Sequence, residues 1–465
     1  MMPACAVSEH AGDRIAGSER RCVAEGIGTG VRSTPAFRGW WLCVAALLAL
    51  SAAGCNTARS GEPVTLRFWA MGREGEVVEE LVRDFEREQP GIRVEVQQIP
   101  WGAAHEKLLT SHVGNSTPDA GQLGNTWIAE FVALRAIEPL AEWVRGSATV
   151  AESAYFAGIW DTNVIDGTAY GIPWYVDTRL LFYRKDLLAR AGYASMPETW
   201  DEWRRAMEAV KKLGVGPHAI FLPTNEYTPW IIFGLQTGST LLAEDGTRGA
   251  FSSPEYRRAM AFYMDLFDRG LAPKVPGASI ANLYQEFERG TFAMYISGPW
   301  QLGEFARRLP PGMQSAWDVA PLPGPDGPGA SVAGGSSLVM FRGSKHKAQA
   351  WKLIEFLSRP EQQVRFFRLT GDLPARTEAW RDTALTNDRR LFAFERQLRH
   401  AVSTPKVPEW EQISVKLQDR VESVVLGGTS PDSALAALDR DIDRMLEKRR
   451  WLMSRRRGVA AVETR

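Results

Sequence analysis

Residues 64–99 read VTLRFWAMGREGEVVEELVRDFEREQPGIRVEVQQI, and the fold class follows from the pattern in this segment. Residues 64–69 and 92–99 alternate apolar and polar side chains and are rich in β-branched residues, which predicts two strands. Between them, residues 76–89 carry apolar side chains at helical spacing, and Pro90 with Gly91 ends the run. A strand, a helix and a second strand in this order predict a βαβ unit and a mostly parallel sheet.

The same alternation of helix and strand continues downstream. In such sheets, ligands bind outside the carboxyl ends of the strands. The segments 70–74 and 124–127, which follow predicted strands, are therefore the first candidates for a ligand site. The predicted elements are a helix at 101–110, a strand at 119–123, and helices at 200–213, 254–269 and 345–357.

Composition limits the possible functions. The 465 residues are enough for two or three domains, and 55 Lys and Arg balance 55 Asp and Glu. A net charge of zero gives no electrostatic basis for binding nucleic acid. The 17 Trp residues are many for one chain. Trp is frequent at recognition surfaces, although core packing is expected to account for most of these residues.

The cysteines lie near the N-terminus, at Cys5, Cys22, Cys43 and Cys55, so the rest of the chain can form neither a disulfide nor a thiolate metal site. The apolar run at 40–53 fits a signal-peptide core and is too short for a membrane-spanning helix. It ends in small residues before Cys55, which resembles a bacterial lipobox without its usual branched residue. We expect export and lipidation of Cys55. The alternative is a hydrophobic helix that stays as a membrane anchor.

The first 30 residues do not fit a signal peptide, because they are polar and precede the basic residues Arg32 and Arg38. We expect the true start to lie downstream, at Val31. Residues 1–54 are therefore predicted to be a signal peptide with an upstream extension, and residues 55–62 a short polar tether on the lipid anchor.

Five segments, in order along the mature chain, are similar to one family. The mature chain resembles the extracellular solute-binding proteins of ABC importers, in particular the sugar-binding group that includes maltose-binding protein. The segments are LRFW at 66–69, GIPWYVDT with LFYRKD at 171–186, EFERGTFAMYISGPW at 286–300, GG at 334–335 with KHKAQAWKLIEFL at 345–357, and GDLPAR at 371–376.

The resemblance implies an α/β protein with the two-lobed periplasmic-binding-protein fold of type II, whose hinge is crossed three times. Residues 63–174 and 331–369 would form the N-terminal lobe, and residues 175–330 and 370–465 the C-terminal lobe. The ligand would lie in the cleft between lobes that close over it. The implied protein is an exported, periplasmic or cell-surface monomer without a cofactor. Its partners would be a sugar, the importer permease subunits and the membrane, through the lipid anchor.

A sugar offers hydroxyl edges and weakly apolar faces, so its site needs aromatic side chains and planar polar groups. Trp69 could equally belong to the core, and Asp177 with Arg376 could form an ion pair at the hinge. Helical spacing assigns Trp203 and Trp351 to the core. The candidate ligand-binding residues are the aromatic Trp69, Trp127, Trp174, Tyr227, Trp230 and Trp300, the polar Arg73, Glu74, Asn125, Asp177, Glu226 and Arg376, and the glycines Gly298, Gly334 and Gly335.

Two other functions remain open at this point. A secreted carbohydrate-active enzyme would need two carboxylates about 5–10 Å apart, for example Glu74 with Asp177 or Glu226. The sequence contains no catalytic motif that supports this reading. A lipoprotein adaptor that signals without transport is the third possibility. The charged tail at 439–457 is predicted to be helical, and its last arginines could touch an anionic membrane or simply be solvated.

Overall fold

The computed structural model describes residues 63–463, with side chains as far as Arg455 in the last helix. The predictions for the signal peptide, Cys55 and the tether lie outside the described residues. The described part of the chain belongs to one compact unit. None of its helices combines the length and the apolar character needed to cross a membrane.

Most strands of this part are short, and the longest belong to the large sheet. In chain order they are β1 (Val64–Met71), β2 (Ile92–Ile99), β3 (Ala120–Gly124), β4 (Val164–Ile165), β5 (Thr168–Ala169), β6 (Ile172–Asp177), β7 (Leu180–Arg184), β8 (Ile220–Phe221), β9 (Leu242–Ala243), β10 (Arg248–Gly249), β11 (Met294–Ser297), β12 (Trp317–Ala320), β13 (Ser331–Val332), β14 (Gly334–Met340), β15 (Leu373–Pro374) and β16 (Ala401–Val402).

Helices connect and cover these strands. The α-helices are Gly72–Glu88, Trp101–Val113, Ile128–Ala133, Ala141–Arg145, Ala157–Asp161, Lys185–Arg190, Trp200–Lys212, Thr228–Gln236, Pro254–Asp268, Leu283–Arg289, Trp300–Arg308, Lys347–Leu357, Pro360–Thr370, Thr383–Thr386, Arg389–Leu398, Trp410–Val425, Pro431–Met445 and Glu447–Glu463. Short 3-10 turns occur at Asn125–Trp127, Glu152–Ala154, Gly277–Ser279, Pro311–Met313 and Thr377–Arg381.

The large sheet has six strands in the order β15-β6-β14-β3-β1-β2. β1 pairs in parallel with β2 and β3, as the βαβ pattern predicts. The prediction of a mostly parallel sheet is wrong, because β14 runs antiparallel to β3 and to β6, and β15 runs antiparallel to β6. β14 enters the sheet after the crossing from β12 in the other lobe, so no βαβ connection fixes its direction.

The second half of β1, from Phe68 to Met71, is buried on both faces, which explains its continuous apolar run. Leu66 and Phe68 belong to the main core, whereas Trp69 and Met71 pack into a smaller cluster on the opposite face. The helix that follows begins at Gly72, earlier than the predicted residue 76. The segment after β1 is therefore the first turn of a helix rather than a loop.

The second sheet has four strands in the order β12-β7-β11-β8. The chain passes between the two sheets from β6 to β7, from β12 to β14, and after β15, since the helix Arg389–Leu398 packs on β12 and β7. This is the predicted two-lobed fold with three crossings. The strand pairing keeps residues 175–177 and 373–374 in the first sheet, a few residues beyond the predicted lobe limits.

A helix cap in the second lobe and two core tryptophans, one in each lobe, follow from the local sequence. The hydroxyl of Thr199 accepts a hydrogen bond from the Glu202 N–H at 3.3 Å and caps the helix Trp200–Lys212. Trp203 is fully buried and Trp351 is 6% exposed, which confirms that both belong to the core.

Candidate functional site

A cavity of about 630 Å³ opens at the carboxyl ends of β1 and β3 and is lined by both lobes. This is the edge of the sheet at which parallel strands present ligand sites. The first lobe and the hinge contribute most of the wall, and the second lobe closes the other side. The lining residues are Arg73, Glu74, Trp101, Gly124, Asn125, Thr126, Trp127, Tyr175, Val176, Asp177, Arg179, Tyr227, Thr228, Ile231, Pro299, Trp300, Val332, Ala333, Gly334, Gly335, Thr370, Asp372, Thr404, Trp410 and Glu411.

A hydrogen-bond network fixes the polar wall of the first lobe. The Tyr175 hydroxyl donates to Glu74 Oε1 at 2.6 Å and accepts from Gln122 Nε2 at 3.2 Å. Gln122 in turn accepts from the Met71 N–H at 2.7 Å, which ties the network to the end of β1. Trp101 Nε1 lies 3.4 Å from Glu74 Oε2. The carboxylate of Glu74, in the first turn of its helix, therefore has a fixed position at the cavity wall.

Two groups of this wall have raised pKa values. Burial, followed by the charges of Glu74 and Asp372, raises the pKa of Tyr175 well above its ordinary value of 10.0. Burial is also the largest cause that raises the pKa of Asp372 to about 7, and the negative charges of Glu74 and Asp177 add to it. Tyr175 therefore remains a hydrogen-bond donor, and Asp372 can donate as well as accept near neutral pH.

An ion pair lies where the chain first crosses to the second lobe. Nη1 of Arg179 is 2.7 Å from each carboxylate oxygen of Asp177. The Arg179 guanidinium also lies over the ring of Trp300, with 4.5 Å from Cζ to the ring centre. Burial raises the pKa of Asp177 above its ordinary value of 3.8, and Arg179 opposes this effect. The pair joins the hinge to an aromatic side chain of the second lobe.

The second lobe contributes an aromatic wall with few charges. Tyr227 and Ile231 face the cavity from one helix, and Trp410 and Glu411 from the start of another. Burial, with the charge of Glu411 next in size, raises the pKa of Tyr227 to about 12. These side chains offer apolar surface and one phenol donor.

Three tryptophans present accessible ring surface to the cavity. Trp300 is 44% exposed and Trp101 is 39% exposed, which is unusual for large apolar side chains and leaves their faces available to a ligand. Trp101 meets Trp127 edge to face, with 5.9 Å between ring centres. The predicted Trp127 and Trp300 are thus brought together with Trp101, which the sequence reasoning assigned only to a helix.

Glycines permit the close backbone approach at the hinge. Gly335 has φ +121°, and a Cβ there would lie 2.3 Å from the Tyr175 carbonyl oxygen, so only glycine fits. Gly334 also lines the cavity. Gly298 does not line it, but a Cβ at this position would lie 2.0 Å from the Trp300 ring. Gly298 therefore leaves the space into which that indole packs.

Asn125 is at the cavity wall and is 9% exposed. Its Nδ2 donates to the Ala333 carbonyl at 2.9 Å, so one side of the amide holds the hinge strand. Glu226 lies outside the lining set. Burial raises its pKa above the ordinary value of 4.5, and the positive charge of Arg179 opposes this rise.

Besides Glu226 and Gly298, four more predicted ligand residues lie outside the cavity lining, and each has a structural contact instead. Trp69 faces the opposite side of β1, with Lys107 Nζ 4.9 Å above its ring. Trp174 is fully buried and stacks on Phe366 at 4.3 Å. Trp230 is 2% exposed, and its ring centre is 3.7 Å from that of Tyr263.

Arg376 is the fourth of these residues. Its Nη1 donates to the Thr149 carbonyl at 2.7 Å and to the Ser358 carbonyl at 3.3 Å. The proposed hinge ion pair between Asp177 and Arg376 is wrong, because Arg179, two residues along the chain, takes that place.

Sequence reasoning missed several lining residues. Tyr175 is the neighbour of the predicted Trp174, and strand alternation could have identified it once one face of β6 was assigned to the core. Arg179 follows Asp177 by two residues. No local signal marks the others. Among them are Trp101, Asp372, Trp410 and Glu411.

Comparison with known proteins gives the family. The sequence profile described as bacterial extracellular solute-binding protein matches residues 71–364. The solved sugar-binding protein of Xanthomonas citri is 50% identical, with a TM-score of 0.82, covering 84% of this chain and 99% of that one. A solute-binding protein of Thermotoga lettingae bound to α-D-tagatose is 28% identical, with a TM-score of 0.69 and coverages of 82% and 100%. The galactooligosaccharide-binding protein of Bacillus subtilis is 24% identical over 85% of this chain and 93% of its own length. The chain belongs to the family of bacterial extracellular solute-binding proteins.

Proposed function

We propose that this protein is the sugar-binding component of an ABC importer and captures a di- or oligosaccharide in the cavity between its lobes. The observation that carries the proposal is the pairing of accessible indole rings with fixed polar groups around one cavity of about 630 Å³. That volume lies within the range of small-molecule sites. Relatives with known ligands, described as binding galactooligosaccharide or tagatose, agree with a carbohydrate.

The distribution of aromatic residues favours more than one sugar ring. Trp101 and Trp127 present ring surface from the first lobe, and Trp300 and Tyr227 present it from the second. Successive rings of an oligosaccharide could stack on these faces in turn, and a single ring would leave part of the wall without a contact. Closure of the lobes would then remove the ligand from water.

The charged groups of the cavity suit hydroxyl groups better than a charged ligand. Arg179 neutralises Asp177, and Glu74 accepts hydrogen bonds from Tyr175 and Trp101. Held in this way, a carboxylate still has lone pairs for a sugar hydroxyl. The ion pair also argues against the enzyme alternative, because Asp177, one of its two carboxylates, is held by Arg179.

The remaining parts of the proposal concern the cell. We expect the chain to be exported, lipidated on Cys55 and held at the membrane as a monomer that delivers its ligand to permease subunits. Globomycin treatment of expressing cells tests the anchor, since it blocks processing of lipidated precursors. A Cys55→Ser variant should then be released or remain unprocessed. Wild-type protein without an attached lipid would contradict the lipid anchor but not the sugar-binding function.

A ligand screen tests the binding function. Purified chain beginning at Asn56 is heated with a panel of mono-, di- and oligosaccharides. A ligand at 100 times its dissociation constant adds about 2.7 kcal/mol to the free energy of unfolding, which a thermal shift detects. We expect at least one di- or oligosaccharide to stabilise the protein more than its component monosaccharide.

The same samples distinguish a binding protein from an enzyme. Each stabilising sugar is incubated overnight with the protein and analysed for shorter products. Intact sugar together with saturable binding in calorimetry is the expected result. Hydrolysis that is lost in a Glu74→Gln variant would favour the enzyme, and a panel without any stabilising sugar would contradict the carbohydrate assignment.

A further inference from the structure

The last helix, Glu447–Glu463, presents an apolar and cationic face to solvent. Lys448, Trp451, Leu452 and Arg455 are all exposed, with Trp451 at 54% and Leu452 at 45%. Their spacing of three, four and seven residues places them on one side of the helix. Large apolar side chains on a surface helix are usually turned inwards. Here Trp451 and Leu452 are turned outwards, and no other described element covers them.

The start of this helix is fixed to the second lobe. Leu446 is fully buried in the core of that lobe, and Arg450 Nη1 donates to the Thr247 carbonyl at 2.7 Å. Arg450 lies on the side opposite the exposed face. These contacts set the orientation of the helix, so the exposed face is held outwards by the fold.

The charge of the segment is strongly unbalanced. Six of the ten residues from 448 to 457 are Lys or Arg, and none is acidic, in a chain whose formal net charge is zero. Arg455 lies over the indole of Trp451, with 4.9 Å from its Cζ to the ring centre. The cation and the aromatic ring therefore point to the same side.

We infer that this face of the terminal helix binds the surface of an anionic phospholipid bilayer. An amphipathic helix with exposed Trp and Leu among cations lies in the headgroup region, where the apolar side chains enter the hydrocarbon boundary and the cations meet lipid phosphates. An acidic protein would satisfy the charges alone. A bilayer satisfies the charges and the apolar pair Trp451 and Leu452 together.

Vesicle flotation tests the inference. The described fold belongs to the compact unit that begins at Gly61, so chain beginning at Asn56 is used, without the apolar run at 40–53 that would itself bind lipid. We expect flotation with vesicles of phosphatidylcholine containing phosphatidylglycerol, little with phosphatidylcholine alone, and a decrease as salt rises. Equal flotation with both compositions, or none with anionic vesicles at low salt, would overturn the inference.

Two pairs of substitutions separate the contribution of the cations to membrane binding from that of the apolar side chains. Lys448→Glu with Arg455→Glu should lower the partition coefficient by about tenfold or more, since each cation near an anionic surface contributes about 1 kcal/mol. The matched control, Arg145→Glu with Lys416→Glu, reverses two exposed cations on other helices and should leave binding unchanged. Trp451→Ser with Leu452→Ser should also weaken binding. If this double variant floats like the wild type and also binds soluble polyanions, the face is a cationic patch for acidic partners, and the inference of bilayer binding is refuted.

Discussion

The Arg179 guanidinium lies over the Trp300 indole, with 4.5 Å between Cζ and the ring centre, while its Nη1 is 2.7 Å from both oxygens of Asp177. One residue at the first crossing thus neutralises a hinge carboxylate and contacts the aromatic wall of the second lobe. Because the three side chains are in contact, the effect of substituting one of them should depend on whether the other two are present.

Removal of Arg179 should destabilise the protein through Asp177. An Arg179→Met variant keeps much of the side-chain length but leaves the partly buried carboxylate without its cation, which should lower the free energy of unfolding by about 2–4 kcal/mol at pH 7.5. Urea unfolding measures this loss. The double variant Arg179→Met with Asp177→Asn should recover most of it, whereas a double variant as unstable as the sum of the singles would show that the pair is uncoupled.

Trp300 should contribute to ligand affinity rather than to stability. It is 44% exposed in the cavity, so Trp300→Ala removes a stacking surface without opening a core void. We expect calorimetry to show a loss of about 1–3 kcal/mol in sugar binding. Trp451→Ala is the matched control, because Trp451 is 54% exposed and lies outside the cavity. Equal affinities for both variants would remove Trp300 from the site.

Adjacent residues of β6 should behave in opposite ways. Tyr175 donates a 2.6 Å hydrogen bond to Glu74 at the cavity, so Tyr175→Phe should weaken sugar binding by about tenfold, near 1.4 kcal/mol. Trp174 is fully buried against Phe366, so Trp174→Phe should lower the free energy of unfolding by about 1–3 kcal/mol and leave affinity unchanged. Affinity lost in the Trp174 variant alone would reverse this assignment.

The sequence predicted the fold better than it predicted the site, for a physical reason. The span of β2 was predicted residue for residue, because most of the strand alternates apolar and polar side chains. On β6, both neighbours are aromatic, so composition could not say which one faces the core. Trp230 was misassigned for a similar reason, since its helix is apolar on most sides.

Other lining residues depend on contacts between distant parts of the chain. Trp410 and Glu411 reach the cavity only because the chain returns to the second lobe more than 300 residues after Glu74. No spacing rule covers that distance. Asp372 was read as part of a motif, but its raised pKa follows from burial and from the charges of Glu74 and Asp177, which tertiary structure brings near it.

Gly335 should be intolerant of any side chain. At φ +121°, a Cβ would lie 2.3 Å from the Tyr175 carbonyl, so Gly335→Ala forces the hinge strands apart. We expect a loss of about 2–3 kcal/mol in the free energy of unfolding, together with weaker sugar binding. Gly91→Ala is the control, because a Cβ there meets nothing within 4 Å, and its stability should change by less than about 1 kcal/mol. An equal effect in both variants would contradict the proposed close approach.

Asp372 should make stability depend on pH. Its pKa of about 7 in the folded protein exceeds the ordinary value of 3.8, so folding favours the protonated form. Stability from this group is therefore fully present below about pH 4 and is lost as the pH rises through 7. The charged groups that disfavour ionisation of Asp372 are Glu74 and Asp177. The nearby hydroxyl of Tyr175 stays neutral over this pH range.

The substitution Asp372→Asn removes this titration and retains the shape of the side chain. Relative to the wild type, the variant should be more stable at pH 8 than at pH 5 by roughly 1–3 kcal/mol, measured by urea unfolding at both pH values. Asp326→Asn provides the control, because that carboxylate is 85% exposed and its loss should have the same small effect at both pH values. If the difference between Asp372→Asn and the wild type were flat from pH 5 to pH 8, the carboxyl would be ionised throughout. Asp372 would then enter the cavity as a charge, and a sugar hydroxyl facing it could act only as a donor.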